Sequence, residues 1–148
     1  MGMFSGLDIS ASGLTAQRFR MDVVSANIAN QDTTRGRYVD GKWQPYTRKV
    51  VNLKTIGSNT FNSMLQSSLG SSAGGVEVSS VSEDPTAYPV KYDPENPDAD
   101  QNGYVQEPNV DPLKEMVDLM DANRSYEAGV TVMNANKNML THALDIGR

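Results

Sequence analysis

Few residues of this chain have the types and spacing to do chemistry. Asp98-x-Asp100-x-Asn102-Gly103 reproduces the first half of a calcium loop, in which alternating oxygen ligands wrap a hard cation. Its twelfth position is Asn109, where a bidentate carboxylate is required, and Pro94 and Pro97 leave no room for an entering helix. The same residues suit a turn held by Asx hydrogen bonds. His142 is the single histidine and there is no cysteine, so a zinc site of ordinary composition has no ligand set. Serines are abundant, but a Ser-His-acid triad would have to recruit His142 from a long helical stretch with no pocket beside it. Arg124 lies one helical turn from Asp121 and Glu127, the spacing of an intrahelical ion pair. Trp43, beside Asp40-Gly41, suits either a contact residue or a plug for a small core. No catalytic residue, cofactor or metal is expected.

What the chain does carry is two ladders. Leu7, Leu14, Met21 and Ile28 recur every seven residues, with Phe4, Ala11 and Val24 beside them. Leu119, Tyr126, Met133 and Leu140 repeat the spacing near the other end, flanked by Met116, Val130 and Leu144. Seven-residue apolar spacing predicts helices that need an apolar partner along their length. The first runs over about residues 4–30, roughly 40 Å at 1.5 Å per residue. Gly6 and Gly13 weaken it by up to about 1 kcal/mol each, so packing must supply its order. The second starts at Asp111, a good N-cap, with Pro112 in the first turn where its missing N–H costs nothing. It runs through Asp145 to a stop at Gly147.

Between the helices the pattern changes. Tyr38-Val39 and Trp43 flank Asp40-Gly41, a type I′ hairpin signal. Tyr46 to Leu53, Val76 to Val81 and Tyr88 to Tyr92 read as strands, and five prolines from Pro85 to Pro108 confine any sheet to short or edge strands. Residues 57–75, rich in Gly and Ser, read as a flexible loop. The fold class is therefore α+β. Residues 1–34 and 111–148 pack as an antiparallel, coiled-coil-like hairpin forming an inner domain, and 35–110 form a β-rich central segment. One hairpin buries only one seam of each helix, so wherever Ile9, Phe19, Val23, Leu113 and Met120 face outward they need other subunits to cover them. Met116, Met120, Met133 and Met139 suit either ordinary core filling or adaptable contacts with non-identical partners.

Composition narrows the partners. The 148 residues carry a net charge of -5, with a pI near 4.7 and a mean hydropathy of -0.49. No basic field invites nucleic acid, and no apolar run approaches the roughly 18 residues that cross a bilayer, so direct membrane insertion is not expected. The N-terminus lacks the basic and apolar regions of a cleaved signal, and Gly6 stands where a myristoylation motif needs Ser or Thr. Charge is nevertheless segregated. Residues 35–54 hold Arg35, Arg37, Lys42, Arg48, Lys49 and Lys54 against Asp40. Residues 77–107 hold eight carboxylates against Lys91. The two halves either neutralise each other within one fold or orient neighbouring copies.

Leu7-Asp8-Ile9-Ser10-Ala11-Ser12-Gly13-Leu14 with Ser25-Ala26-Asn27-Ile28-Ala29-Asn30 resembles the N-terminal signature of bacterial flagellar rod and hook proteins. Glu115-Met116-Val117-Asp118 with Asn123-Arg124-Ser125-Tyr126-Glu127-Ala128 resembles their C-terminal signature. Tyr92-Asp93-Pro94, Gly103-Tyr104-Val105 and Pro108-Asn109-Val110 resemble the proximal-rod members. Ala26 departs from that pattern, in which asparagine is usual, as do Gln31-Asp32.

The resemblance implies a non-enzymatic subunit of the flagellar basal-body rod, the periplasm-spanning shaft that transmits torque for swimming. It implies export through the flagellar type III apparatus without a cleaved signal. The implied partners are copies of itself, other proximal and distal rod subunits, and basal-body adapter, MS-ring and export-gate components. Terminal helices would line an inner tube, with assembly seams at Leu7, Leu14, Met21, Ile28, Met116, Leu119, Tyr126, Val130, Met133, Leu140 and Leu144. Asn27, Asn30, Asn123 and Arg124 are the signature polar residues, Arg124 as an intersubunit contact. The alternatives are a self-contained helical-hairpin binding or adaptor module, or another rod subunit of the family.

Overall fold

The computed structural model describes residues 5–39, 41–56 and 74–146. Helix α1 spans Ser5–Ala29 and helix α2 spans Pro112–Ile146. Among the described residues between them are six short strands: β1 Arg37–Val39, β2 Lys42–Gln44, β3 Lys49–Thr55, β4 Val76–Glu83, β5 Val90–Tyr92 and β6 Tyr104–Gln106. They pair as three two-stranded sheets, β1-β2, β3-β4 and β5-β6. The chain is α+β, as its patterning predicts.

Local signals explain the element ends. Asp111 Oδ1 accepts from the Leu113 and Lys114 N–H groups at 3.0 and 3.4 Å, capping α2 where the sequence places its cap. Val39 pairs with Lys42 across the two-residue turn, and Gly41 supplies its φ of 81°. Asp40, the Gly147 stop, Phe4 and residues 57–73 of the Gly/Ser-rich segment lie outside the described residues. β6 escapes the sequence reading because three residues are too few for a period-two pattern to register. Trp43 is not a core plug: it is 53 % exposed and meets Tyr38 edge-on, ring centroids 5.1 Å apart.

The described residues form two compact units. One gathers α1 as far as Met21, the residues from Val51 to Ser80, and α2 from Met120. In it small residues allow close approach: Ala16 and Ala122 are buried, and a Cβ on Gly129 would stand 2.9 Å from the Leu14 side chain. Asn136 Nδ2 donates to the Gly6 carbonyl at 3.4 Å and to Ser10 Oγ at 3.3 Å. Ser12 Oγ accepts the Val76 N–H at 3.1 Å, and Gly75 lies buried against the same hydroxyl.

The other unit gathers Asp22–Val50 and Val81–Leu119. Val24, Val105, Pro45 and Pro108 are buried in it. Tyr92 and Tyr104 meet edge-on across β5-β6 at 5.3 Å. The turn into β6 is held by Asp100, whose Oδ1 accepts the Asn102 and Tyr104 N–H groups at 2.8 and 3.0 Å. Those backbone donors hold the Asp100 carboxyl below its usual range. Asp98 is likewise committed, to the Arg35 guanidinium at 2.6 Å and the Thr34 hydroxyl at 2.8 Å. The Asp98–Gly103 motif is an Asx-type turn whose carboxylates already have partners.

Candidate assembly surface

Exposure divides the seam residues. Leu7, Leu14, Met21 and Ile28 of α1 are half-buried, as are Leu119, Tyr126, Met133 and Leu140 of α2. Met116, Val130 and Leu144 are exposed. Beyond the seams, Ile9 and Phe19 of α1 and Leu113, Val117, Met120, Val132 and Met139 of α2 are also exposed, so apolar side chains point in several directions from each helix. Three of the four α2 methionines, Met116, Met120 and Met139, face water, and Met133 is half-buried. That distribution suits a contact surface better than a core.

The signature polar residues have separate roles. Asn30 closes α1: its N–H donates to the Ala26 and Asn27 carbonyls at 3.2 Å each, and its Nδ2 to Ala26 O at 2.8 Å. Asn123 donates to Glu127 Oε1 at 3.3 Å. Arg124 is exposed and makes no ion pair among the described residues, so the intrahelical pair suggested by its spacing is not formed.

Asn27 and Glu115 are almost fully buried, at 1 % and 0 % exposure. Asn27 Nδ2 donates to Lys49 O and to Glu115 Oε2, both at 2.9 Å. Its Oδ1 accepts the Tyr46 hydroxyl and the Lys49 N–H, both at 3.0 Å. Every donor and acceptor of the amide is thereby used. The other Glu115 oxygen accepts Arg48 Nε at 2.6 Å, and the remaining guanidinium nitrogens reach Asp84 at 3.2 Å and Asp118 at 3.4 Å. Asn109 ties the periphery, accepting the Arg48 N–H at 2.7 Å and donating to Asp84 O and Thr86 O, both at 3.1 Å.

The electrostatics follow from this packing. Burial opposes charge on Arg48, but the hydrogen bonds and charges of Glu115 and Asp84 outweigh it and raise its pKa. The Thr86 hydroxyl and N–H, helped by Arg48, hold Asp84 below the usual carboxylate range. Burial, then the Glu115 charge, pushes the Tyr46 phenol up. A buried polar network of this kind fixes one arrangement, because any slip strands a charge or an amide. Nothing in heptad spacing marks Arg48 or Glu115. The available signal was Glu115 among the polar residues of the C-terminal motif, one turn into an otherwise apolar ladder.

The charge segregation is partly spent within the subunit. Arg35–Asp98, Arg37–Glu83 at 3.6 Å, Arg48–Asp84 and Lys54–Glu77 at 3.1 Å join the basic stretch to the acidic one, and Lys91–Glu107 at 3.3 Å lies within the acidic stretch. None of these groups is arranged for bond-making chemistry. The surface on offer is apolar helix, framed by polar locks.

Comparison with known proteins agrees at both ends and across the whole chain. Residues 7–36 match the flagella basal body rod protein family, and residues 101–146 match the C-terminal family of the flagellar basal body rod FlgEFG proteins. The flagellar basal-body rod protein FlgC of Bacillus subtilis is 56 % identical over 151 residues, covering 100 % of both chains. FlgC of Borreliella burgdorferi is 41 % identical over 99 % of this chain and 98 % of its own. FlgC of Salmonella typhimurium is 39 % identical over 100 % of both. With heptad ladders at both ends, exposed apolar helix faces and full-length similarity to these relatives, the chain belongs to the FlgC family of flagellar basal-body rod proteins.

Proposed function

We propose that the chain is a structural, non-enzymatic subunit of the proximal rod, built into the flagellar basal body through its terminal helices. The observation that carries the reading is the exposed apolar surface of α1 and α2 in a chain related to FlgC over its full length. Each Leu or Met withdrawn from water contributes roughly 1.5–3 kcal/mol, so repeated weak seams sum to a stiff shaft. Residues 1–34 and 111–148 act as the inner coiled-coil domain, and residues 35–110 lie outside it. The approaches of Asn136 to Gly6 and of Gly129 to Leu14 support an antiparallel pairing of the helices. Its neighbours are copies of itself and other rod subunits, reached by way of the flagellar export apparatus.

Basal bodies purified from cells whose only copy is Leu14→Asp or Met133→Asp test this. A carboxylate in the seam is costly to bury without a partner. The substituted chain should be made in full and be missing from the rod, and the cells should not swim. Normal incorporation of both variants would remove the seam from the account.

A further inference from the structure

Two patches within the unit of Asp22–Val50 and Val81–Leu119 are open and complementary. The first is a groove of about 470 Å³ with Val23 and Ala26 of α1 and Val81 of β4 as its apolar lining, and Asp22, Lys49 and Glu83 as its charged lining. The second is one face of α2, where Leu113, Met116 and Val117 recur at i, i+3 and i+4 with exposures of 75, 53 and 53 %. This face is turned away from the buried Glu115, and the same spacing carries it on to Met120. Lys114 flanks it, exposed and without an ion pair among the described residues. Asp22 in the groove is also exposed and has no ion pair among the described residues, and Glu83 is held only by Arg37 at 3.6 Å.

We propose that the Leu113–Met116–Val117 face of one copy seats in the Val23–Ala26–Val81 groove of a second copy, with Lys114 meeting Asp22. The inference rests on the rod-subunit reading and names the contact within it. Charge complementarity selects a second copy: the groove offers a free carboxylate beside apolar floor, and the face offers apolar side chains beside a free ammonium. Because the patches differ and sit on one chain, the contact is heterologous, so each subunit donates once and receives once. Repetition of such a contact generates a ring or a helix, depending on its rotation.

The chain has no cysteine, so introduced thiols report without background. Ala26→Cys and Val117→Cys, on separate copies produced together in cells lacking the native chain, cannot join within one molecule. Oxidised basal bodies should yield a disulfide-linked pair at about twice the 16.1 kDa chain mass, only when both variants are present. Incorporation of both variants without that pair, or linkage to a different rod protein, overturns the proposal and leaves the rod reading intact. Absence of the native chain from basal bodies would instead overturn the rod reading itself. A second arm needs no thiol: Lys114→Glu and Asp22→Lys should each lower the number of assembled rods several-fold, and the double exchange should restore it. Failure of the double exchange to restore assembly overturns the pairing.

Discussion

Asn27 and Glu115, separated by 88 residues in the chain, join amide to carboxylate at 2.9 Å in a site closed to water. The first belongs to α1 and the second to the opening turn of α2. Arg48 on the far side of Glu115 and Tyr46 beside Asn27 bring in the segment before β3. One amide thus sets the mutual placement of three separate stretches of chain.

Replacing Asn27 by Ala leaves the Tyr46 hydroxyl, the Lys49 N–H and carbonyl, and Glu115 short of partners. A stranded buried group costs about 1–3 kcal/mol, and these groups share one network, so a net loss of about 3 kcal/mol is expected. Urea unfolding followed by tyrosine fluorescence reads it. Asn27→Asp should also destabilise, and less at acid pH than at neutral pH, because protonation of the introduced carboxyl removes its repulsion with Glu115.

Glu115→Ala should cost about 3–5 kcal/mol, since it leaves the Arg48 charge half-buried without its nearest partner. Arg48→Lys should recover little, because an ammonium cannot reach Glu115, Asp84 and Asp118 as a planar fork does. The double substitution Arg48→Met, Glu115→Leu should be milder than Glu115→Ala alone. A double-mutant cycle in urea measures the difference.

Stability should fall on both sides of neutrality. Asp84, Asp98 and Asp100 have folded pKa values below the ordinary 3.8, so the stability they supply is present above that value. It drains away as pH falls through 3.8 toward the lowered folded values. Tyr46 is shifted upward from 10.0, so its contribution is complete below 10.0 and is lost as pH rises through the higher folded value. Thermal melts from pH 2 to 11 follow both limbs, and Tyr46→Phe should blunt the alkaline one.

Gly103 holds φ at 79°, and a Cβ there would come within 3.0 Å of the Tyr92 ring and 3.2 Å of Pro94. Gly103→Ala should cost about 1–2 kcal/mol from the left-handed backbone, before any crowding. Gly129→Ala is the contrasting case. Its new methyl meets only the movable end of Leu14, and the gain in helix propensity of about 1 kcal/mol offsets the shift. Melting temperatures of the pair should differ in that order.

Periodicity made the helices legible because each repeats its apolar spacing over several turns, and Asp111-Pro112 and Asp40-Gly41 carry their geometry in residue type. Tyr104–Gln106 was not legible, since its pairing with Val90–Tyr92 depends on a turn built by Asp100 and Gly103 rather than on its own three residues. The Arg48–Glu115–Asn27 network was hidden for a different reason. Arg48 looks like an ordinary surface residue, Asn27 and Glu115 stand out only through the family signatures, and only tertiary contact gives the three a common interior. The segregated charges had two readings, and the ion pairs from Arg37 to Glu83 and from Lys54 to Glu77 favour internal neutralisation for much of that surface.

The span between Asn27 and Glu115 has a bearing on timing. A chain synthesised from its N-terminus presents Asn27, then Tyr46 and Arg48, long before Glu115 follows. Until that last quarter arrives, the amide has no carboxylate to close upon and the guanidinium lacks Glu115, its nearest partner. A long reach in sequence makes ring closure slow and late. The three stretches therefore lock together only when the chain is whole.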